Sequence, residues 1–309
     1  MTLIQDFDVV SEFDLPALRR HEQQMKSNSI KLSTRFLICL VAHNLIMNVA
    51  ALTWPLARIL IVKQMGPSEH PLMNKEKDQL FLYNIWWPTD ARQTPTYFYL
   101  AAWTALSLIV QTGAATGSNI FLSNLMVCVS KRAEFLKDTA TIALANGPSF
   151  KKVPLRMRQW IRYHQYYISL VHKINLVCGF TVMLDHICSI YRLVHFGYIL
   201  TNFSTYGTSY YTLVPISNAL FNLLVQALAG QQVINKCVEL NKTVVRVANN
   251  NLRSAEGQLR NTLKTLKARC SCGVVEKITG VDLFVVSVHS LFKEISLVVS
   301  VLLVVSQLG

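Results

Sequence analysis

The chain has 309 residues, 51% of them hydrophobic and only 15% charged, with a formal net charge of +13 and a mean hydropathy of +0.32. A soluble domain carries about a quarter charged residues, and here the apolar residues cluster into long runs, so a soluble globular protein is excluded. The composition fits an all-α integral membrane protein with about five transmembrane helices, since lipid-facing backbone must be satisfied internally; the alternation of about ten residues that marks a membrane barrel is absent.

Residues 1–35 hold five acidic and five basic residues and no apolar segment of signal-peptide type, so they read as a cytosolic lead-in. The first apolar run, Phe36–Val62, carries His43, Asn44, Asn48, Trp54, Pro55 and Arg58. Pro55 should kink or end its helix. Its polar-studded outer half suits a ligand-facing wall and ordinary helix packing equally well. The loop 63–96 ends in an aromatic-rich stretch with Trp86 and Trp87, residues that suit a membrane–water interface and could also lid a pocket.

The second run, Tyr97–Val129, contains Gly113-Ala-Ala-Thr-Gly117, small residues that permit close helix approach, and its helix is expected to continue past the bilayer through Lys131–Asp138. These pieces make residues 36–129 the first pair of spans. Asn146-Gly-Pro148 breaks the chain, and a helix starting near Pro154 should pass from a cytosolic stretch, 130–168, into a third run, Ser169–Leu200. Asp185 and Arg192 share a face of that span. The fourth run, Tyr211–Leu240, closes the segment 169–240 and puts Asn218, Asn222 and Gln226 four apart, a polar stripe facing either another helix or a cavity.

Residues 241–294 form a basic cytosolic region. The last run, Val281–Leu308, is interrupted by Lys293-Glu294, a costly pair at mid-bilayer. This predicts a buried helix over Asp282–Lys293, followed by a short membrane helix over 295–309. Gln307, a lone amide at the end of that greasy helix, suggests a watery path.

A cytosolic N-terminus places 20 Lys and Arg inside, in 1–35, 130–160 and 241–280, against 4 in the outer loops 63–96 and 201–210, as the positive-inside rule requires, and puts Gly309 outside. It also puts the sequon Asn202-Phe-Ser204 outside, as a glycosylation candidate, and the sequon Asn241-Lys-Thr243 inside. The positive charge carries no interleaved aromatics, so no nucleic-acid partner is expected. Most of the seven cysteines lie in apolar runs, and Cys270-Ser-Cys272 has the wrong spacing for zinc. No nucleotide, protease or hydrolase motif occurs, so no catalytic residue, metal or cofactor is expected.

Four pieces of the sequence resemble the insect odorant receptors: Trp86-Trp-Pro-Thr-Asp90 with Thr94-Pro-Thr-Tyr-Phe-Tyr99, Trp160-Ile-Arg-Tyr-His164, Gly230–Leu240, and Ile278-Thr-Gly-Val-Asp-Leu-Phe284 with Val304-Val-Ser-Gln-Leu308. They occur in the family's order across residues 80–309. The resemblance implies a subunit of a tetrameric, ligand-gated, non-selective cation channel, anchored by the cytosolic ends of its helices and lined by the last helix. By position Val304 and Leu308 would form the gate, with Gln307 beside them. Where the family commonly has Thr-Tyr, this chain has Ser300-Val301.

On this mapping Phe36–Val62 is the family's third helix. The first two are missing, so the chain is expected to be truncated and its pocket incomplete. The loop 132–160 lacks the long insertion of the shared co-receptor, which implies a ligand-tuned subunit partnered with that co-receptor in a heterotetramer. Its place would be the plasma membrane of an olfactory neuron dendrite. Met47, Trp54, Tyr97, Trp103, Met183 and Tyr211, in the outer halves of the spans, are the expected contacts for a small, volatile, largely apolar ligand. A gustatory receptor of the same superfamily, a truncated non-functional receptor and an unrelated transporter are the alternatives. The absence of internal repeats and of midplane carboxylate pairs speaks against the transporter, and the charge bias against a G-protein-coupled receptor.

Overall fold

The computed structural model describes residues 23–49 with gaps at 25, 29, 36, 47 and 48, and then 94–144, 153–201, 209–252, 257–271 and 276–308. Nearly all of this is helix: α1 (Lys26–Ile46), α2 (Thr94–Leu144), α3 (Val153–Thr201), α4 (Ser209–Leu252), α5 (Gly257–Ser271) and α6 (Val288–Leu308). One two-stranded sheet, β1 (Thr279–Gly280) and β2 (Phe284–Val285), lies between α5 and α6. Four described helical segments are long and apolar enough to cross a membrane: Lys26–Ile46, Met157–Thr201, Leu213–Leu252 and Val288–Gln307. The fifth expected run, Tyr97–Val129, lies inside α2.

Helices α2, α3 and α4 have 51, 49 and 44 residues, each about twice the 20 or so needed for a bilayer. Their residues divide between two compact units. Unit 1 takes residues 1–36, 122–183 and 226–290; unit 2 takes 37–121, 184–225 and 291–309.

Unit 1 is built like a soluble bundle. On α2 the buried positions are Leu122, Met126, Val129, Ala133, Leu136 and Ala140, spaced alternately four and three apart as in a heptad seam. On α4 Val233, Cys237, Leu240, Val244 and Val247 follow a similar rhythm, and α3 contributes Met157, Trp160, Tyr167, Val171, Ile174 and Cys178. The fully buried Trp160 donates its indole N–H to the Leu136 carbonyl at 3.1 Å, tying α3 to α2. Lys137–Glu239 at 3.1 Å and Lys236–Glu134 at 3.3 Å link α2 to α4. The basic helix α5 buries Leu263, Leu266 and Cys270 in the same core and exposes Arg260, Lys264 and Arg269.

Unit 2 combines an apolar surface with buried polar groups beside its buried apolar ones. Its surface shows Leu45, Val110, Ile187, Tyr191, Leu213 and Leu303, whereas Asn44, Thr116, Asn119, His186, Ser189, Asn218 and Asn222 are buried. Apolar side chains outside and polar ones inside are what a hydrocarbon solvent selects. Asn44 donates back to the Leu40 carbonyl at 2.9 Å within α1, and the His43 ring stacks on Phe221 of α4 with centroids 4.0 Å apart.

One expectation needs correction. The helix expected over Asp282–Lys293 is a hairpin followed by the start of α6. Gly280 pairs with Phe284 and Thr279 with Val285, the Val286 N–H donates to the Ile278 carbonyl at 2.9 Å, and the turn closes with the Leu283 N–H on the Gly280 carbonyl at 3.0 Å. Val281 and Asp282 take φ of 51° and 57°, left-handed values that a helix cannot contain. Ser287 then caps α6: its hydroxyl accepts from the Ser290 N–H, while the Ser290 hydroxyl accepts from the Ser287 N–H, a reciprocal arrangement of the capping-box type. The first apolar run, expected from Phe36, continues a helix that begins within the lead-in. That helix already runs from Lys26, because residues 26–35 include no Gly or Pro to stop it. The proposed kink at Pro55 and the loop 63–93 lie outside the described residues.

Candidate functional site

The last helix carries the clearest candidate site. Lys293-Glu294 does not break α6, which is continuous from Val288 to Leu308. Leu291 and Val298 are buried at 6% and 7% exposure, and Glu294, Ile295, Val301, Leu302 and Val305 are half-buried. Lys293, Ser296, Ser300, Val304 and Gln307 are exposed, and at 3.6 residues per turn they fall on one face. This face is more polar than the rest of the helix. The Ser296 and Ser300 hydroxyls donate back to the Phe292 and Ser296 carbonyls, each at 2.8 Å, which leaves their oxygens able to accept from water.

The inner face of α6 meets α3 at two places in unit 2. Nδ1 of His186 lies 2.9 Å from Oε1 of Glu294, with side-chain exposures of 4% and 13%. Eleven residues further along α3, a Cβ at Gly197 would come within 2.8 Å of Leu302 Cδ1. Glycine is required there because the Leu302 side chain fills the space. The contacts pair 186 with 294 and 197 with 302, so α3 and α6 run parallel.

In unit 1 the hairpin before α6 is clamped onto α3 and α4. Asn175 donates to the Lys277 carbonyl at 2.8 Å and accepts from the Thr279 N–H at 3.1 Å. Gly230 of α4 lies so close that an added Cβ would stand 2.2 Å from the Val286 carbonyl oxygen. Tyr167 Oη lies 2.8 Å from Cys237 Sγ. Burial pushes the Cys270 thiol up to about 11, so it remains protonated and a poor nucleophile. Burial also raises the Glu276 carboxyl, against the opposing charge of Arg269, whose guanidinium lies 3.6 Å away. No cluster able to hold a metal ion occurs among the described residues.

Of the residues expected at the gate, Val304 and Gln307 share the exposed face of α6; Leu308 is helical, and its side chain lies outside the described set. Of the expected ligand contacts, Trp103 is 62% exposed on α2 and Met183 is half-buried on α3. Tyr97 and Tyr211 stand on helices with their side chains outside the described residues, and Met47, Trp54 and Asn202 lie wholly outside them. The polar stripe of α4 is buried along its length, with Asn218 at 7%, Asn222 at 6% and Gln226 at 1% exposure. Asn241 sits in the middle of α4, so its sequon is locked in a helix. Sequence reasoning missed the His186–Glu294 pair; the signal available was an acidic residue in an apolar helix and a histidine on another span.

A family model described as 7tm Odorant receptor matches residues 8–244. The chain belongs to the odorant receptor family. Membership decides against the gustatory and transporter alternatives. No curated protein sequence matches this odorant receptor significantly. Among solved structures it is similar to the insect olfactory receptor OR5 from Machilis hrabei in complex with eugenol, with a TM-score of 0.71 and 17% identity over 93% of this chain and 70% of that one. It is also similar to the structure of OR5 described without a ligand, with a TM-score of 0.69, 16% identity and the same coverage. At these identities the likeness shows the fold: a nearly all-helical, multi-pass membrane receptor.

Proposed function

We propose that this odorant receptor is a subunit of an odorant-gated, non-selective cation channel, with α6 as its pore-lining helix. The observation that carries the reading is the face Lys293, Ser296, Ser300, Val304 and Gln307, exposed on a helix whose other positions are mostly apolar. Hydroxyl and amide groups facing outward from one subunit are costly against lipid and favourable against a water-filled conduit shared with other subunits. Val304 and Leu308 close the conduit, and Gln307 lies beside them. The N-terminus is cytosolic and Gly309 extracellular; unit 1 is the cytosolic anchor and unit 2 the membrane part. The assembly is a heterotetramer with the shared co-receptor in the plasma membrane of an olfactory neuron dendrite.

The ligand is a small, volatile, largely apolar molecule, for which the eugenol complex of the similar receptor is a chemical precedent. Met47, Trp54, Tyr97, Trp103 and Tyr211 are its proposed contacts, together with Met183, which stands on α3 at the last position of unit 1 before unit 2 resumes. The test is inward current on co-expression with the co-receptor, over a broad panel of volatile odorants. Gln307→Lys places a cation in the conduit and is expected to lower cation permeation about tenfold or more. Unchanged permeation and selectivity in that variant would remove α6 from the pore.

A further inference from the structure

A buried histidine paired with a half-buried acid in the membrane unit calls for a reason. An apolar pair of the same volume would pack there at least as well, because desolvating two ionisable groups offsets their attraction. Ionisable groups inside membrane helices are retained for what they do, and a buried polar pair is best attested as a device that fixes one arrangement among several. We propose that His186 and Glu294 are positioning residues that set the rotation of α6 about its own axis, and with it the side chains presented to the conduit. The proposal rests on the reading of α6 as the pore helix.

The neighbours of Glu294 on the inner face, Leu291 and Val298, make non-directional contacts, and Leu302 over Gly197 fixes closeness of approach. Among the described residues on the inner face beyond the Ser287–Ser290 cap, the His186 Nδ1–Glu294 Oε1 contact at 2.9 Å is the one with a directional requirement. Glu294 lies roughly 120° around the helix from Ser300, the centre of the exposed face. Its neighbour Lys293 is exposed on that same face. A rotation of about one residue, roughly 100°, would bury Lys293 and bring Glu294 into the conduit. With His186 in place one oxygen of the Glu294 carboxyl has a partner inside. Without it, that half-buried carboxyl loses this partner, which drives the rotation and turns Val304 away from the gate.

The inference has a distinctive consequence: removing the acid should repair the damage caused by removing the histidine. In cells co-expressing the co-receptor, with surface receptor quantified, His186→Leu is expected to raise odorant-free inward current about tenfold. His186→Asn, which keeps a donor near the Nδ1 position, should remain close to wild type. His186→Leu with Glu294→Leu should also return toward wild type, because no carboxyl is left to seek water. A merely structural role predicts the opposite order, with the double variant the worst.

Unchanged odorant-free current in surface-expressed His186→Leu, or a double variant as leaky as the single, would overturn the proposal. If His186→Leu fails to reach the surface, adding Glu294→Leu should restore its abundance, and failure to do so counts against it equally. Gln307→Lys in the same cells separates the two readings. If it alters permeation while the His186 and Glu294 variants leave the gate untouched, the positioning role alone falls; if it leaves permeation unchanged, the pore reading falls and takes this inference with it.

Discussion

Individual residues show two solvents acting on one chain. Trp160 is buried in a conventional core and its indole N–H finds a backbone carbonyl, whereas Asn218 and Asn222 are buried because the outside of unit 2 is apolar. The sharpest constraint at this scale is Gly230, where any side chain would meet the Val286 carbonyl oxygen and not a flexible side-chain tip. Backbone cannot yield as a side chain does, so Gly230→Ala should destabilise unit 1 by about 1–3 kcal/mol. The check is a lowered thermal midpoint of the detergent-purified receptor; an unchanged midpoint would mean that the hairpin stands further from α4.

Among the elements, the hairpin is where sequence reasoning failed. The apolar run from Val281 onward reads as helix, since hydrophobicity alone does not distinguish a short buried strand from a buried helix. What decides the matter is pairing: Ile278 and Val286 are buried opposite each other, and Asp282 tolerates its left-handed backbone while its carboxylate accepts from the Thr279 hydroxyl at 2.9 Å. Val281 has no such compensation. A β-branched residue at φ 51° is strained, by about 1 kcal/mol or more. Val281→Asn is therefore expected to raise the thermal midpoint, and a lower midpoint would show that the Val281 side chain contributes more than its backbone costs. The continuity of α6 is an element-scale result of the same kind. Lys293-Glu294 looks like a break only until each charge is given its own side, Lys293 on the exposed face and Glu294 against His186.

For the whole molecule, the two units account for helices about twice as long as a bilayer requires. Their apolar-out and polar-out halves were both partly visible in the sequence: the continuation of the Tyr97–Val129 helix through Lys131–Asp138, and the helix start near Pro154, are both present. The proposed topology has a direct test at this scale. Asn202, placed outside the membrane, should carry glycan, so Asn202→Gln should abolish a glycosidase-sensitive shift in mobility. A receptor whose mobility is indifferent to glycosidase before and after the substitution would speak against this orientation or place the sequon too near the bilayer. Asn241 is a poor control for the inside, because a sequon within a helix is a poor acceptor.

The sequence by itself determined the solvent, the helical class and the family. These depend on composition, run length and short ordered motifs, which are properties of the chain read in one dimension. Tertiary structure decided how the charges and polar groups are used: Glu294 against His186, the hairpin against Asn175 and Gly230, and the α4 amides turned inward. The partners named for Glu294 and for the hairpin lie between 56 and 108 positions away, and burial makes the choice of partner energetically decisive.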